Sequence, residues 1–305
     1  MKKGKAFELL VERILIHIGF SNVYSDGIYI YNGVAGKMIQ GLGEAHNADV
    51  LLEPPVQIPF YIRSRLLVEC KDRKNRVGLD VIRNALGLRE DINHFNVVDQ
   101  NKLFARQKQR RGVGIDKYRY WYQIAVASVS SYTTQAQEFA AAHRIALIEF
   151  TRYPFWKEFQ EVIRFYNRVE NIVEEESWLI QKFDEIGKNM ALAITDYGQM
   201  LFLYHCGTGN IHFPESKCSI TYEAGRELWK LSSGNEQYCF QLPKTVMESW
   251  LRGFIDELSE KQKEKDYNGS LHSNMVVYFR NNELPEIKKI SIAKEELEKA
   301  YMNVF

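Results

Sequence analysis

The sequence predicts an α/β fold in two parts: a mixed sheet in the order α-β-β-β-α-β-α-β over residues 1–152, and an α+β half over 153–305. Three observations carry this expectation. The chain opens on a helical apolar stripe, a strand, a helix and a strand succeed one another between Tyr120 and Phe150, and long amphipathic helices then give way to hairpins. At 305 residues the chain can build two moderate cores. With 45% hydrophobic and 26% charged residues, its composition excludes a chain disordered throughout.

Residues 4–18 read as a helix because, at about 100° per residue, Phe7, Leu10, Val11, Ile14, Leu15 and Ile18 share one stripe. Gly19 ends it. Glu8, Glu12, Arg13 and His17 break the apolar run well short of a membrane span, so neither a signal peptide nor a transmembrane helix is expected. Strand-like runs follow at Val23 to Tyr31, broken at Asp26-Gly27, and at Ala48 to Leu52 after the glycine-rich GLGEAHNAD. Three prolines between Glu53 and Pro59 exclude a central strand there. Tyr61 to Cys70 is strand-like again, which gives a hairpin with a proline-rich tip. Val81, Ile82, Ala85, Leu86 and Leu88 set a helix over 78–91. Tyr120 to Val129 is a buried strand, Thr133 or Thr134 caps a helix through His143, and Ile145 to Phe150 completes a β-α-β unit with parallel pairing.

Beyond 150, FWKEFQEVIRFYNRVENIVEEESWLIQKF reads as one or two amphipathic helices and Ala191 to Cys206 as a hairpin turning at Asp196-Tyr197-Gly198. Strands are expected at 217–223, 236–242, 275–280 and 287–292, with a helix from about Lys244 to Lys263 and another at the end of the chain. Trp156, Trp178, Trp229 and Trp250 fall in helix-like periodic segments and read as core. His205, Cys206, His212 and Cys218 lack zinc-ligand spacing and read as packing. Four cysteines without a CxxC pair exclude a disulfide scaffold and point to the reducing cytoplasm.

The net charge of +1 hides an asymmetry: residues 1–150 hold 21 Lys and Arg against 15 Asp and Glu, and the remainder 19 against 24. A basic first half suits a polyanion partner. Its most basic stretch, KLFARQKQRRGVGIDKYR, carries Lys102, Arg106, Lys108, Arg110, Arg111, Lys117 and Arg119 against Asp116 alone, a composition suited to gripping phosphates. Lys74 and Arg76, after Arg73, would meet a nucleic-acid backbone near the next feature.

That feature is Asp49, Glu69 and Lys71. Strand alternation puts Glu69 and Lys71 on one face and Cys70 on the other. If the strand ending at Leu52 pairs with the one ending at Lys71, Asp49 lies beside Glu69, and two carboxylates converge where hard divalent cations bind. Lys71 then stands where its ammonium stabilises charge on a phosphate or orients an attacking water. A solvated strand face with a cross-strand ion pair is the alternative for these three residues. His46 and Glu44, in the loop before Asp49, are weaker candidates. Asn84 and Gln123 flank the site in the topology.

The order helix, D-x(19)-ExK hairpin, helix, strand, helix, strand resembles the PD-(D/E)xK nuclease superfamily, in particular its Mrr-like restriction endonuclease branch. Three stretches carry the resemblance: GKAFELLVERILIHIGF, the pair NADVLL and LLVECKD, and YQIAVASVSSYTTQAQEFAAAHRIALIEF. It covers about half the chain, and Ala48 stands where the motif's name has proline. The resemblance implies a restriction-endonuclease-like core and hydrolysis of DNA phosphodiester bonds in restriction or phage defence. It makes Asp49 and Glu69 ligands of Mg²⁺ or Mn²⁺ and Lys71 the charge-stabilising residue. It also implies a carboxylate from the first helix; with Phe7 at 0°, Glu8 falls at about 100° on the border of the stripe and Glu12 at about 140° nearer solvent, which favours Glu8. A double-strand cut by single sites needs a homodimer, and residues 153–305 are free to dock a protein partner. Two rivals stand beside this expectation: a non-catalytic nucleic-acid-binding or signalling module on the same fold, and a nuclease for RNA or branched junctions.

Overall fold

The computed structural model describes residues 4–27, 29–34, 36–57, 62–95, 120–166, 175–196, 198–261, 272–281 and 284–305. The first half is a five-stranded mixed sheet flanked by helices. Helix α1 (Lys5–Ile18) buries Phe7, Leu10, Val11, Ile14, Leu15 and Ile18, and Gly19, at φ 120°, turns the chain out of it. Strands β1 (Ser21–Asn22), β5 (Val50–Glu53), β6 (Ser64–Lys71), β7 (Trp121–Ser128) and β8 (Ala146–Glu149) stand in the order β1-β5-β6-β7-β8. The β1–β5 and β5–β6 pairs are antiparallel, β6–β7 and β7–β8 parallel.

The parallel pairs need crossovers. These are α2 (Leu79–His94) and α3 (Thr134–Ala142), whose first turn is capped by Thr133 Oγ1 accepting from Ala136 N at 3.3 Å. Both crossovers pack on one face of the sheet with Leu67, Ile124 and Val126, while α1 covers the other with Leu66, Val68 and Ala125. Cover on both faces explains why β7 and β8 read as nearly continuous apolar runs. Tyr132 ties the last two strands, its hydroxyl donating to Val126 O at 2.7 Å and Ile148 O at 3.0 Å.

The order departs from the expected one between Asp26 and Asn47. Three short strands, β2 (Ile30–Gly33), β3 (Gly36–Gln40) and β4 (Ala45–Asn47), form a separate antiparallel sheet. Only Ile30 and Ile39 of these strands are buried, and the glycines between them leave no alternation to read.

Beyond 150, helices α4 (Trp156–Tyr166) and α5 (Glu175–Gly187) lead into a closed barrel in the order β10-β13-β12-β11-β15-β14-β9. Its strands are β9 (Met190–Thr195), β10 (Met200–His205), β11 (Lys217–Glu223), β12 (Leu228–Ser233), β13 (Glu236–Phe240), β14 (His272–Asn281) and β15 (Leu284–Ala293). Helices α6 (Lys244–Lys261) and α7 (Lys294–Val304) complete the chain. Trp229, expected on a helix, lies on β12, where it alternates with Lys230 and packs inward with Leu231. Trp250 is buried on α6. His205, 2.6 Å from Glu236, and Cys218 are buried, as packing requires, whereas Cys206 and His212 are exposed and depart from that expectation.

Both hydrophobic clusters of the sheet continue into the barrel. Arg13 on α1 holds Asp184 on α5 through two hydrogen bonds of 2.9 and 2.8 Å, and Arg280 Nε donates to His17 O at 2.8 Å. Among the described residues no helix is long and apolar enough to cross a membrane.

Candidate active site

Strands β5 and β6 pair with Val50 opposite Val68, Leu51 opposite Leu67 and Leu52 opposite Leu66. One step further in the same register, at the bend before β5, Asp49 comes beside Glu69. Its Oδ2 accepts from Cys70 N at 2.8 Å, which closes the end of the hairpin. Glu69 and Lys71 share the parity of Leu67 and project toward α2, and Lys71 Nζ donates to Glu69 Oε2 at 2.8 Å. Cys70 points the other way and packs on the α1 cluster.

Helix α1 adds Glu8, whose carboxylate holds Lys5 at 2.7 Å. Burial first, and then the charges of Asp49, Glu8 and Glu69, push the Cys70 thiol well above its ordinary range, with Lys71 opposing them. Glu8 and Glu12 both act on Lys5 together with Asp49, and Glu12 also acts on Lys37.

Glu69 and Lys71 open on a cleft of about 530 Å³ whose other wall is α2. Asp80, Arg83, Asn84 and Gly87 line it at the i, i+3, i+4, i+7 positions of one helical face, a polar stripe that periodicity alone could have found. Glu44 and His46 line it as well. Gln123 does not: it pairs with Leu66, three rungs back from the Glu69–Val126 pair, and has the parity of the α1 face. Arg73 lies on the rim, Arg76 is exposed on the link to α2 and lines no wall of this cleft, and Lys74 faces a second cleft. Lys102, Arg106, Lys108, Arg110, Arg111, Lys117 and Arg119 lie outside the described residues.

His46 Nε2 lies 2.6 Å from a carboxylate oxygen of Asp91 on α2. Asp91 also accepts from Gly43 N at 2.8 Å, and a Cβ at Gly41 would meet its Oδ2 at 1.9 Å, so only glycine fits there. The hydrogen bond from His46, followed by those from the Gly43 and Glu44 backbone, lowers the Asp91 pKa below the ordinary carboxylate value, against burial. A lowered folded pKa contributes stability that is present above the ordinary value and is lost as pH falls through the folded one. Urea midpoints of wild type and Asp91→Asn are therefore expected to differ at pH 6 and to converge toward pH 3; a difference that grows on acidification would contradict the latch.

Among the described residues no group of three His, Cys, Asp or Glu side chains is close enough to hold a metal ion by itself. The donor set nevertheless suits Mg²⁺ or Mn²⁺, which need one or two carboxylates and take the rest of their shell from waters and a substrate phosphate. Asp49 and Glu69 each commit one described oxygen, to Cys70 N and to Lys71, and keep a second.

No family model matches the chain, and no curated protein matches it. Among solved structures, the crystal structure of a protein of unknown function, AF1548, is similar with a TM-score of 0.34 and 14% identity, over 59% of this chain and 78% of that one. A likeness at that level carries no inference about activity. What the residues can do rests on their own geometry: two carboxylates and an ammonium at the end of one hairpin, and a cleft onto which Glu69 and Lys71 open, lined by neither Asp49 nor Glu8.

Proposed function

We propose that this chain is a metal-dependent endonuclease that hydrolyses DNA phosphodiester bonds, on a restriction-endonuclease-like core of the PD-(D/E)xK superfamily and its Mrr-like branch, acting in the cytoplasm in restriction or phage defence. One observation carries the reading: the β5–β6 register, which aligns Asp49 with Glu69 while Lys71 bonds Glu69 from the same face at 2.8 Å. The order of the five-stranded sheet, an antiparallel hairpin followed by two parallel strands, supports the same core.

In this reading Asp49 and Glu69 hold Mg²⁺ or Mn²⁺. The cation, when bound, supplies Lewis-acid polarisation of the scissile phosphate. Lys71 exchanges its bond with Glu69 for a phosphate oxygen and donates to it as negative charge develops there. Glu8, bonded to Lys5 at 2.7 Å, is the carboxylate that the first helix would contribute. Arg73, Arg83 and Asn84 orient the strand along the cleft, and a second copy of the chain serves the opposite strand when both are cut.

The test is a cleavage screen on supercoiled, methylated, branched and single-stranded DNA, and on RNA, with Mg²⁺, Mn²⁺ or EDTA. Cutting of DNA with either ion and none in EDTA is the expected result. No cutting of any substrate would leave the binding-module rival, and cutting confined to RNA or to branched junctions would favour the other.

A further inference from the structure

The link from β6 to α2 separates two clefts, and Arg73 belongs to the wall of both. The first holds Glu69 and Lys71. The second, of about 650 Å³, lies between the start of α1, the link and α4. That volume is in the range of sites for nucleotide-sized ligands and is far too small for a double helix.

Its lining combines two chemistries. Trp156, half-buried over the buried Phe7 and Phe159, makes an apolar side, its ring 4.9 Å from that of Phe159 and 6.4 Å from that of Phe7. Arg73, Lys74 and Arg164 make a cationic rim opposed by Asp72 alone, and among the described residues none of the three forms an ion pair. An aromatic surface beside unneutralised cations matches a nucleotide, whose base has a π-face and whose phosphates are anionic. An apolar ligand would leave the cations unused, and an acidic peptide would leave the aromatic side uncovered.

We propose that this second cleft takes one unpaired nucleotide of the strand bound at Asp49, Glu69 and Lys71, with its base on Trp156 and its phosphates on Arg73, Lys74 and Arg164. The substrate class is then DNA with an unpaired nucleotide beside the cut: single-stranded, gapped or flapped. The proposal rests on the nuclease reading for the position of the strand. An intact duplex is a poorer substrate because a base must first leave its stack and its partner, a cost that an unpaired nucleotide does not bear.

The experiment titrates the full-length protein in EDTA, where no cut intervenes, against gapped and fully paired duplexes of one length, with 2-aminopurine at the unpaired position. Expected are quenching of the 2-aminopurine and a preference for the gapped duplex of about 5- to 100-fold, the range that stacking on one aromatic ring supplies. Trp156→Ala should abolish that preference. Arg164→Glu, at an exposed position, should reduce it several-fold and serves where loss of Trp156 disturbs folding, whereas Trp156→Phe should retain most of it. Equal affinity for the two duplexes, or a preference unchanged in Arg164→Glu, would overturn the proposal. Failure of the nuclease reading looks different: the gapped preference stays, and no substrate is cut with Mg²⁺ or Mn²⁺.

Discussion

Asp49→Asn should abolish metal-dependent cleavage of plasmid DNA while leaving the fold intact. The amide keeps an oxygen that can accept from Cys70 N, so the hairpin end stays closed, but one of the two charges that would hold the cation is gone. Lys71→Ala should act as strongly, by about 10²–10³-fold, because it removes the donor aimed at the developing charge. Its effect on stability should be small. The Glu69–Lys71 pair is partly open to water, with side chains 18% and 23% exposed, and pairs of that kind contribute about 0–1 kcal/mol. Cleavage rates from supercoiled plasmid, read beside thermal melts of each variant, separate the two effects. Either variant cutting within tenfold of wild type would sink the assignment.

The largest loss of stability is expected at Phe150→Ala, about 3–5 kcal/mol. Phe150 is fully buried, with its ring 5.9 Å from Phe7 of α1 and 5.5 Å from Phe202 of β10, both edge-on, and it also meets Tyr153 and Phe155. Truncation leaves a cavity where the sheet, the first helix and the barrel meet, and aromatic neighbours on three elements cannot all collapse into it. Urea unfolding followed by far-UV circular dichroism and by tryptophan emission should shift to a lower midpoint in one shared transition. A shift worth less than about 1 kcal/mol, or two separate transitions, would show that the halves do not depend on this junction.

The parts of the fold that could be read in advance are those whose signal is local. The stripe of α1, the buried runs of β7 and β8 and the cap at Thr133 are each written within a dozen or so neighbouring residues, and each stands where it was expected, as does the antiparallel pairing of β5 with β6. Strands without such a signal escaped. Glycine ends β2, of which only Ile30 and Tyr31 fell in an expected run, and opens β3; β4 is three residues long, and β12 places Trp229 in a run too short to separate from a helix turn. For the site, alternation was enough to put Glu69 and Lys71 on one face, but the same argument applied to Gln123 needed its strand's register, which set it on the opposite face.

Residue order therefore dictated the local elements, and with them the three side chains of the hairpin, because helix and strand periodicities are properties of adjacent residues. Closure of seven strands into a barrel, the bond from Cys70 N to Asp49, the hold of Asp91 on His46, and the cleft beside Trp156 all join positions far apart along the chain. Those depend on register and packing, and a one-residue slip in any pairing would turn each such side chain to the other face without altering a single local propensity.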